Sequence, residues 1–233
     1  IAQYFSTQID SSSSLAIPSF NQPSTLRYGE NPHQTASVYS HPTHSGLATA
    51  DCIQGKALSY NNLMDADAAL QCVKGWPATQ AACAIIKHAT PCGVAVAETT
   101  TQAYQKALET DPTSAFGGII AFNQTIDEDT AKMILKQFAE VIIAPGITEA
   151  AKLQLQQKTN LRILICDTTQ NSAQQNIRSI DGGLLVQSCD ASLPETDNWR
   201  CVTEKQPDNQ QQQDLYFAWQ IVRQVKSNGI VYA

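Results

Sequence analysis

The residues best suited to chemistry are Lys87 and His88, which end the small, apolar run Ala81-Ala82-Cys83-Ala84-Ile85-Ile86. Lysine supplies a fixed positive charge, and the histidine beside it titrates near neutrality. Together they can move a proton next to a developing oxyanion. Pro91-Cys92-Gly93 follows and predicts a turn directly after the pair. The dipeptide alone is a weak signal. It also fits a strand end reaching water, and His88 also reads as a satisfied core histidine.

Two further stretches carry polar or permissive residues. Leu26-Arg27-Tyr28-Gly29-Glu30-Asn31-Pro32-His33-Gln34 offers Arg27, Tyr28, Asn31 and His33 within a few positions. An arginine presents a planar fork that matches phosphate. The same composition also describes a solvated loop. Asp111-Pro112-Thr113-Ser114-Ala115-Phe116-Gly117-Gly118 ends on paired glycines, which let backbone approach a ligand or adopt unusual dihedrals.

The elements that must hold these stretches follow from hydrophobic pattern. Residues 81–86 read as a buried strand, with further strands at 119–122, 141–144 and 161–166. Helical patterns fall at 101–109, 127–138 and 148–158. This alternation predicts an α/β fold, a mixed sheet with helices on both faces. Upstream, a short strand is expected at 35–39 and an exposed turn holds His41 and His44. Asn62 is expected to cap a helix with Leu63, Ala66, Ala69, Leu70 and Val73 on one face. Downstream, residues 94–98 read as irregular and 179–187 as a strand region. Residues 190–213 read as a polar connection with a Gln-rich end. A last helix over 214–226 is expected to bury Leu215, Ala218, Trp219, Val222 and Val225, before a strand at 229–233.

Composition bounds the function. The 233 residues are 42% hydrophobic and 15% charged, with a net charge of -6. That argues against a nucleic-acid binder but leaves room for a local basic pocket. No apolar run is long enough to span a membrane, and no secretory pattern is present. The seven cysteines are odd in number and lack CxxC spacing. They read as reduced thiols of a cytoplasmic protein, with no disulfide frame and no metal site. The chain starts at Ile1 and ends on an unterminated strand pattern, so a piece of a longer protein is expected. Residues 1–23 read as a helix end and a Ser/Pro-rich linker, and 24–233 as an incomplete domain.

Four stretches taken in order carry a resemblance: residues 26–34, Ile86-Lys87-His88 with Pro91-Cys92-Gly93, residues 111–118, and Lys226-Ser227-Asn228. Val141-Ile142-Ile143-Ala144-Pro145-Gly146 and Gly182-Gly183-Leu184-Leu185-Val186-Gln187 add to it. Together they closely resemble the bifunctional purine-biosynthesis family that joins an AICAR transformylase to an IMP cyclohydrolase. Thr90, where that pattern often has Asn, and Gly229, where it often has Ala, depart from it.

The resemblance implies a cytidine-deaminase-like three-layer fold, with Pro91-Cys92 as a partial echo of the deaminase Pro-Cys turn. Ala95 stands where a second cysteine would be, so zinc is not expected. It implies formyl transfer from 10-formyltetrahydrofolate to AICAR, with cyclohydrolase activity in an upstream domain and a homodimeric assembly. By resemblance, Lys87 and His88 are the catalytic pair, and Arg27, Tyr28, Gly117, Glu140 and Asn228 bind substrate. The rival reading is a deaminase-like binding or assembly fragment without turnover.

Overall fold

The computed structural model describes residues 20–168, 175–190 and 196–233. Its strands are β1 (Ser24–Thr25), β2 (Ser37–Val38), β3 (Asp51–Gln54), β4 (Ala81–Lys87), β5 (Thr90–Ala97), β6 (Gly118–Phe122), β7 (Ala139–Ala144), β8 (Arg162–Ile165), β9 (Gln175–Ile180) and β10 (Gly183–Ser188). The helices are α1 (Tyr60–Val73), α2 (Thr100–Thr110), α3 (Glu128–Ile134), α4 (Glu149–Leu155) and α5 (Asn209–Val222). Six strands form one mixed sheet in the order β3-β8-β7-β6-β4-β5. Within it β6, β7 and β8 run parallel, while β3, β4 and β5 pair antiparallel with their neighbours.

Period-two alternation assigns each strand residue to one of two cores. Cys83, Ile85, Ile120, Ile142 and Ile163 face the layer of α2, α3 and α4, where Tyr104, Ile134 and Leu155 close the packing. Ala82, Ala84, Ile86, Ile119, Val141, Ile143 and Leu164 face α1 through Ala66, Ala69, Leu70 and Val73. Each fully buried isoleucine contributes about 1.5–3 kcal/mol of transfer free energy. The expected α/β fold with helices on both faces is therefore observed.

Several local expectations are corrected. Ser59, not Asn62, caps α1. Its hydroxyl accepts the Asn62 N–H at 3.2 Å, while Asn62 Oδ1 accepts the Ser59 N–H at 3.1 Å, a reciprocal capping box. Residues 94–97 are not irregular but complete β5. β3 went unanticipated because Asp51-Cys52-Ile53-Gln54 is an exposed edge strand with little apolar signal. The last helix starts earlier than expected and takes in the Gln-rich stretch, because Asp208 and Gln211 form a capping box. It does not bury Leu215 or Trp219, which are 51% and 52% exposed; Ile221 is its one buried residue. The expected strand at 229–233 has no regular structure, since no ladder partner stands beside it among the described residues. His41 is half-buried, its ring against Phe20 and His44. The expectations for residues 1–19 lie outside the described residues.

The sheet's polarity positions the site. Ile86 of β4 pairs with Ile119 of β6 in antiparallel sense, so β4 ends where β6, β7 and β8 begin. Lys87 therefore emerges at the sheet edge where Gly118, Ala139 and Arg162 open the parallel strands.

Candidate active site

The turn after β4 is His88-Ala89. Lys87 pairs with Thr90, which leaves a two-residue hairpin loop. His88 and Ala89 have φ of 54° and 56°, the left-handed pair of a type I′ turn. That turn favours Asn-Gly, and left-handed backbone costs an ordinary residue about 1–2 kcal/mol. The strain sits on the residue proposed from sequence to handle a proton, a common association at functional sites. Asp65 of α1 holds the turn by accepting the Ala89 N–H at 2.7 Å. The His88 ring is exposed and takes no hydrogen bond among the described residues.

Pro91-Cys92-Gly93 is not the expected turn; it lies within β5. Pro91 is tolerated because β5 is an edge strand. Ile85 faces Gly93 and Ile86 faces Pro91, so Cys92 is the extra residue of a β-bulge. Gly93 has a packing reason: a Cβ there would stand 2.0 Å from the Ala107 carbonyl oxygen of α2. The Cys92 thiol is pushed up, first by burial and then by Asp111, with Lys87 pulling the other way.

Lys87 Nζ donates to the Phe116 carbonyl at 2.6 Å. The next residue, Gly117, has φ of 73° and donates its N–H to the Phe138 carbonyl at 2.8 Å. A Cβ on Gly117 would crowd the Phe138 ring at 3.3 Å, so both backbone and space require glycine. The Phe116 and Phe138 rings, both exposed, lie 5.4 Å apart beside this turn. Ahead of it, Asp111 accepts from the Ser114 N–H and hydroxyl. Those bonds hold its carboxyl below the usual range.

Glu140 sits at a second bulge. Gly118 pairs with Ala139 and Ile119 with Val141, which leaves Glu140 unpaired in β7. Its Oε2 accepts from Asn62 Nδ2 at 3.2 Å and lies 3.9 Å from the Arg162 guanidinium. Oε1 keeps no hydrogen bond among the described residues. Arg162 is buried and also donates to the Lys56 and Ala57 carbonyls. Sequence reasoning missed Arg162. The available signal was a single arginine opening the apolar strand Arg162-Ile163-Leu164-Ile165, a charge that burial tolerates only with partners.

Arg27 and Tyr28 attach to the same helix end through backbone. The Arg27 N–H donates to the Leu58 carbonyl at 2.8 Å, and the Tyr60 N–H to the Tyr28 carbonyl at 3.0 Å. The exposed Arg27 guanidinium lies 5.3 Å from the Tyr28 ring centroid. Residues 58–65 thus tie down Arg27 and Tyr28 through Leu58 and Tyr60, Glu140 through Asn62, and the His88-Ala89 turn through Asp65. The helix dipole at this end favours negative charge. Cations, an unpartnered imidazole and an open carboxylate oxygen can bind an anion and transfer a proton. Asn228 is not drawn in: its side-chain oxygen accepts from the Ser227 hydroxyl at 2.8 Å, and no hydrogen bond links it to the sheet among the described residues. No group of three or more His, Cys, Asp or Glu side chains gathers as a metal site among the described residues.

The bifunctional purine biosynthesis protein PurH of Rippkaea orientalis is 46% identical over 237 residues, covering 99% of this chain and 46% of that protein. The protein of the same description from Gloeothece citriformis is 47% identical over 208 residues, covering 89% of this chain and 40% of its own length. The chain thus spans about half the length, or less, of these curated relatives. The family model described as AICARFT/IMPCHase bienzyme matches residues 1–233, and the chain belongs to that family.

Proposed function

We propose that this chain serves purine biosynthesis as the formyl-transfer part of a longer bifunctional protein. It would move the formyl group of 10-formyltetrahydrofolate to the 5-amine of AICAR. Residues 24–233 form the transformylase part in this reading and 1–23 the preceding connection, with cyclohydrolase activity belonging to an upstream domain. The observation that carries the proposal is the joining of three candidate site stretches to one helix end, with Lys87 pinned beside Gly117.

The AICAR amine is conjugated with its ring and carboxamide, so it is a poor nucleophile. His88 accepts the amine proton as the nitrogen bonds to the formyl carbon. In this reading the Lys87 ammonium offsets charge on the formyl oxygen; its bond to Phe116 leaves two N–H groups for that task. Returning a proton to the folate nitrogen lets the old carbon–nitrogen bond break. Arg27 suits the phosphate. Glu140 Oε1 suits an N–H of the carboxamide or amine. Asn228, assigned by resemblance, reaches AICAR in this reading only if the 226–233 segment packs differently when ligand is bound.

The three-layer arrangement supports a cytidine-deaminase-like label, although Pro91-Cys92 lies in a strand instead of a turn. A homodimer in the cytoplasm completes the reading. The exposed Ile177, Ile180, Leu184 and Leu185 of the β9–β10 hairpin support self-association. Titration calorimetry with AICAR tests substrate binding directly. Arg27→Ala and Glu140→Ala should each weaken affinity about tenfold or more, the equivalent of one charge-assisted contact. Affinities equal to that of the unmodified chain would overturn the assignment.

A further inference from the structure

We infer that Asp65 is a positioning residue for His88, acting through the Ala89 N–H. This rests on the reading of His88 as the proton acceptor. The turn is built against residue preference, for neither His88 nor Ala89 is a glycine or asparagine and both hold positive φ. Within the hairpin the Lys87–Thr90 strand pair closes the turn, and the Thr90 hydroxyl reaches the His88 carbonyl at 3.4 Å. The one side-chain bond to the turn from outside the hairpin, among the described residues, comes from 24 residues upstream, where the Asp65 carboxylate accepts the Ala89 N–H at 2.7 Å.

Asp65 is not needed by its own helix. Ser59 and Asn62 cap α1, and Asp65 lies beyond that cap with its carboxylate accepting from the hairpin. Its charge reaches the same patch as Lys87 and Asp111, since all three act on the Cys92 thiol. The result is a strained two-residue loop fixed from the helix layer packed on the sheet. His88 can then stand exposed and unpartnered without the loop relaxing to an extended form.

The test uses protein spanning the full length of the relatives, with Asp65→Ala and Asp65→Asn, each alone and with Ala89→Gly. Asp65→Ala should lower formyl-transfer kcat roughly ten- to a hundredfold, the scale of a misplaced catalytic group, with KM for AICAR little changed. Asp65→Asn, which keeps an acceptor oxygen, should retain most activity. In the Ala89→Gly background the Asp65→Ala loss should shrink, because glycine holds the left-handed conformation without strain. Amide exchange at Ala89 should quicken in Asp65→Ala while the α1 amides stay protected. Unchanged kcat in Asp65→Ala, or an equal loss in the Ala89→Gly background together with unprotected α1 amides, overturns the inference. If His88→Ala also turns over normally, the reading of the site fails. If His88→Ala is inactive while Asp65→Ala is not, only the positioning role fails.

Discussion

The Lys87 ammonium is bonded to the Phe116 carbonyl at 2.6 Å, which fixes a cation one residue ahead of Gly117. The bond joins the end of β4 to the turn ahead of β6 and holds the charge at the amino ends of the parallel strands.

Lys87→Met keeps the apolar stem and removes the charge. Formyl transfer should fall about a hundredfold, the scale of one lost oxyanion stabiliser. Because the bond lies at the surface, the denaturation midpoint should hardly move. Steady-state kinetics with a parallel urea titration separate the two, and a large loss of stability would assign Lys87 a structural role instead.

Gly93→Ala should destabilise the fold by about 1–3 kcal/mol, the cost of overpacking. The new methyl would meet the Ala107 carbonyl at 2.0 Å and push α2 off the sheet. Urea unfolding of the variant measures this. An unchanged midpoint would mean that α2 shifts freely.

Arg162→Met should cost about 1–3 kcal/mol, because the Lys56 and Ala57 carbonyls lose a donor at a partly buried site. It should also weaken AICAR binding through Glu140, which would lose one of its two supports. Calorimetry at a temperature where the variant is fully folded checks the second effect. Normal AICAR affinity in the folded variant would show that Glu140 needs no support from Arg162.

Burial pushes the Cys72 thiol up to about 12 from an ordinary 9.0. Between those values the unfolded chain has given up a proton that the folded chain keeps. Stability is therefore fully present below pH 9 and falls as pH rises toward 12. Cys72→Ala should show a smaller drop in urea midpoint between neutral and strongly alkaline pH. An equal drop in both proteins would show that other groups carry the alkaline loss.

The central strands were legible because Ala81 to Ile86 and Ile119 to Phe122 are short, continuous apolar runs, which buried strands require. The hairpin turn was misplaced because Pro and Gly are strong turn signals, whereas His88-Ala89 is an unfavoured type I′ pair held from outside by Asp65. Gly93 marks a close helix contact, and a sequence does not distinguish that from a turn. Lys87 and His88 were singled out by residue type and Gly117 by resemblance, and the structure sets Lys87 against the residue before Gly117. Arg162 and Asp65 act through long-range partners that no local pattern records. The array lies at the amino ends of the parallel strands, opposite to the edge where open α/β sheets commonly bind ligands. The antiparallel direction of β4 is the reason, since it brings Lys87 to that edge.

The most direct measurement is formyl transfer to AICAR by the His88→Ala variant in protein spanning the relatives' full length, with cyclohydrolase turnover followed in the same sample. Loss of the acid–base group should lower transformylase kcat about a hundredfold or more and leave the cyclohydrolase rate intact. The unmodified 233-residue chain, assayed alongside, should show little turnover, because it spans 46% of the length of the Rippkaea orientalis relative and small displacements of reacting groups lose large factors in rate. Undiminished formyl transfer by His88→Ala would contradict the account.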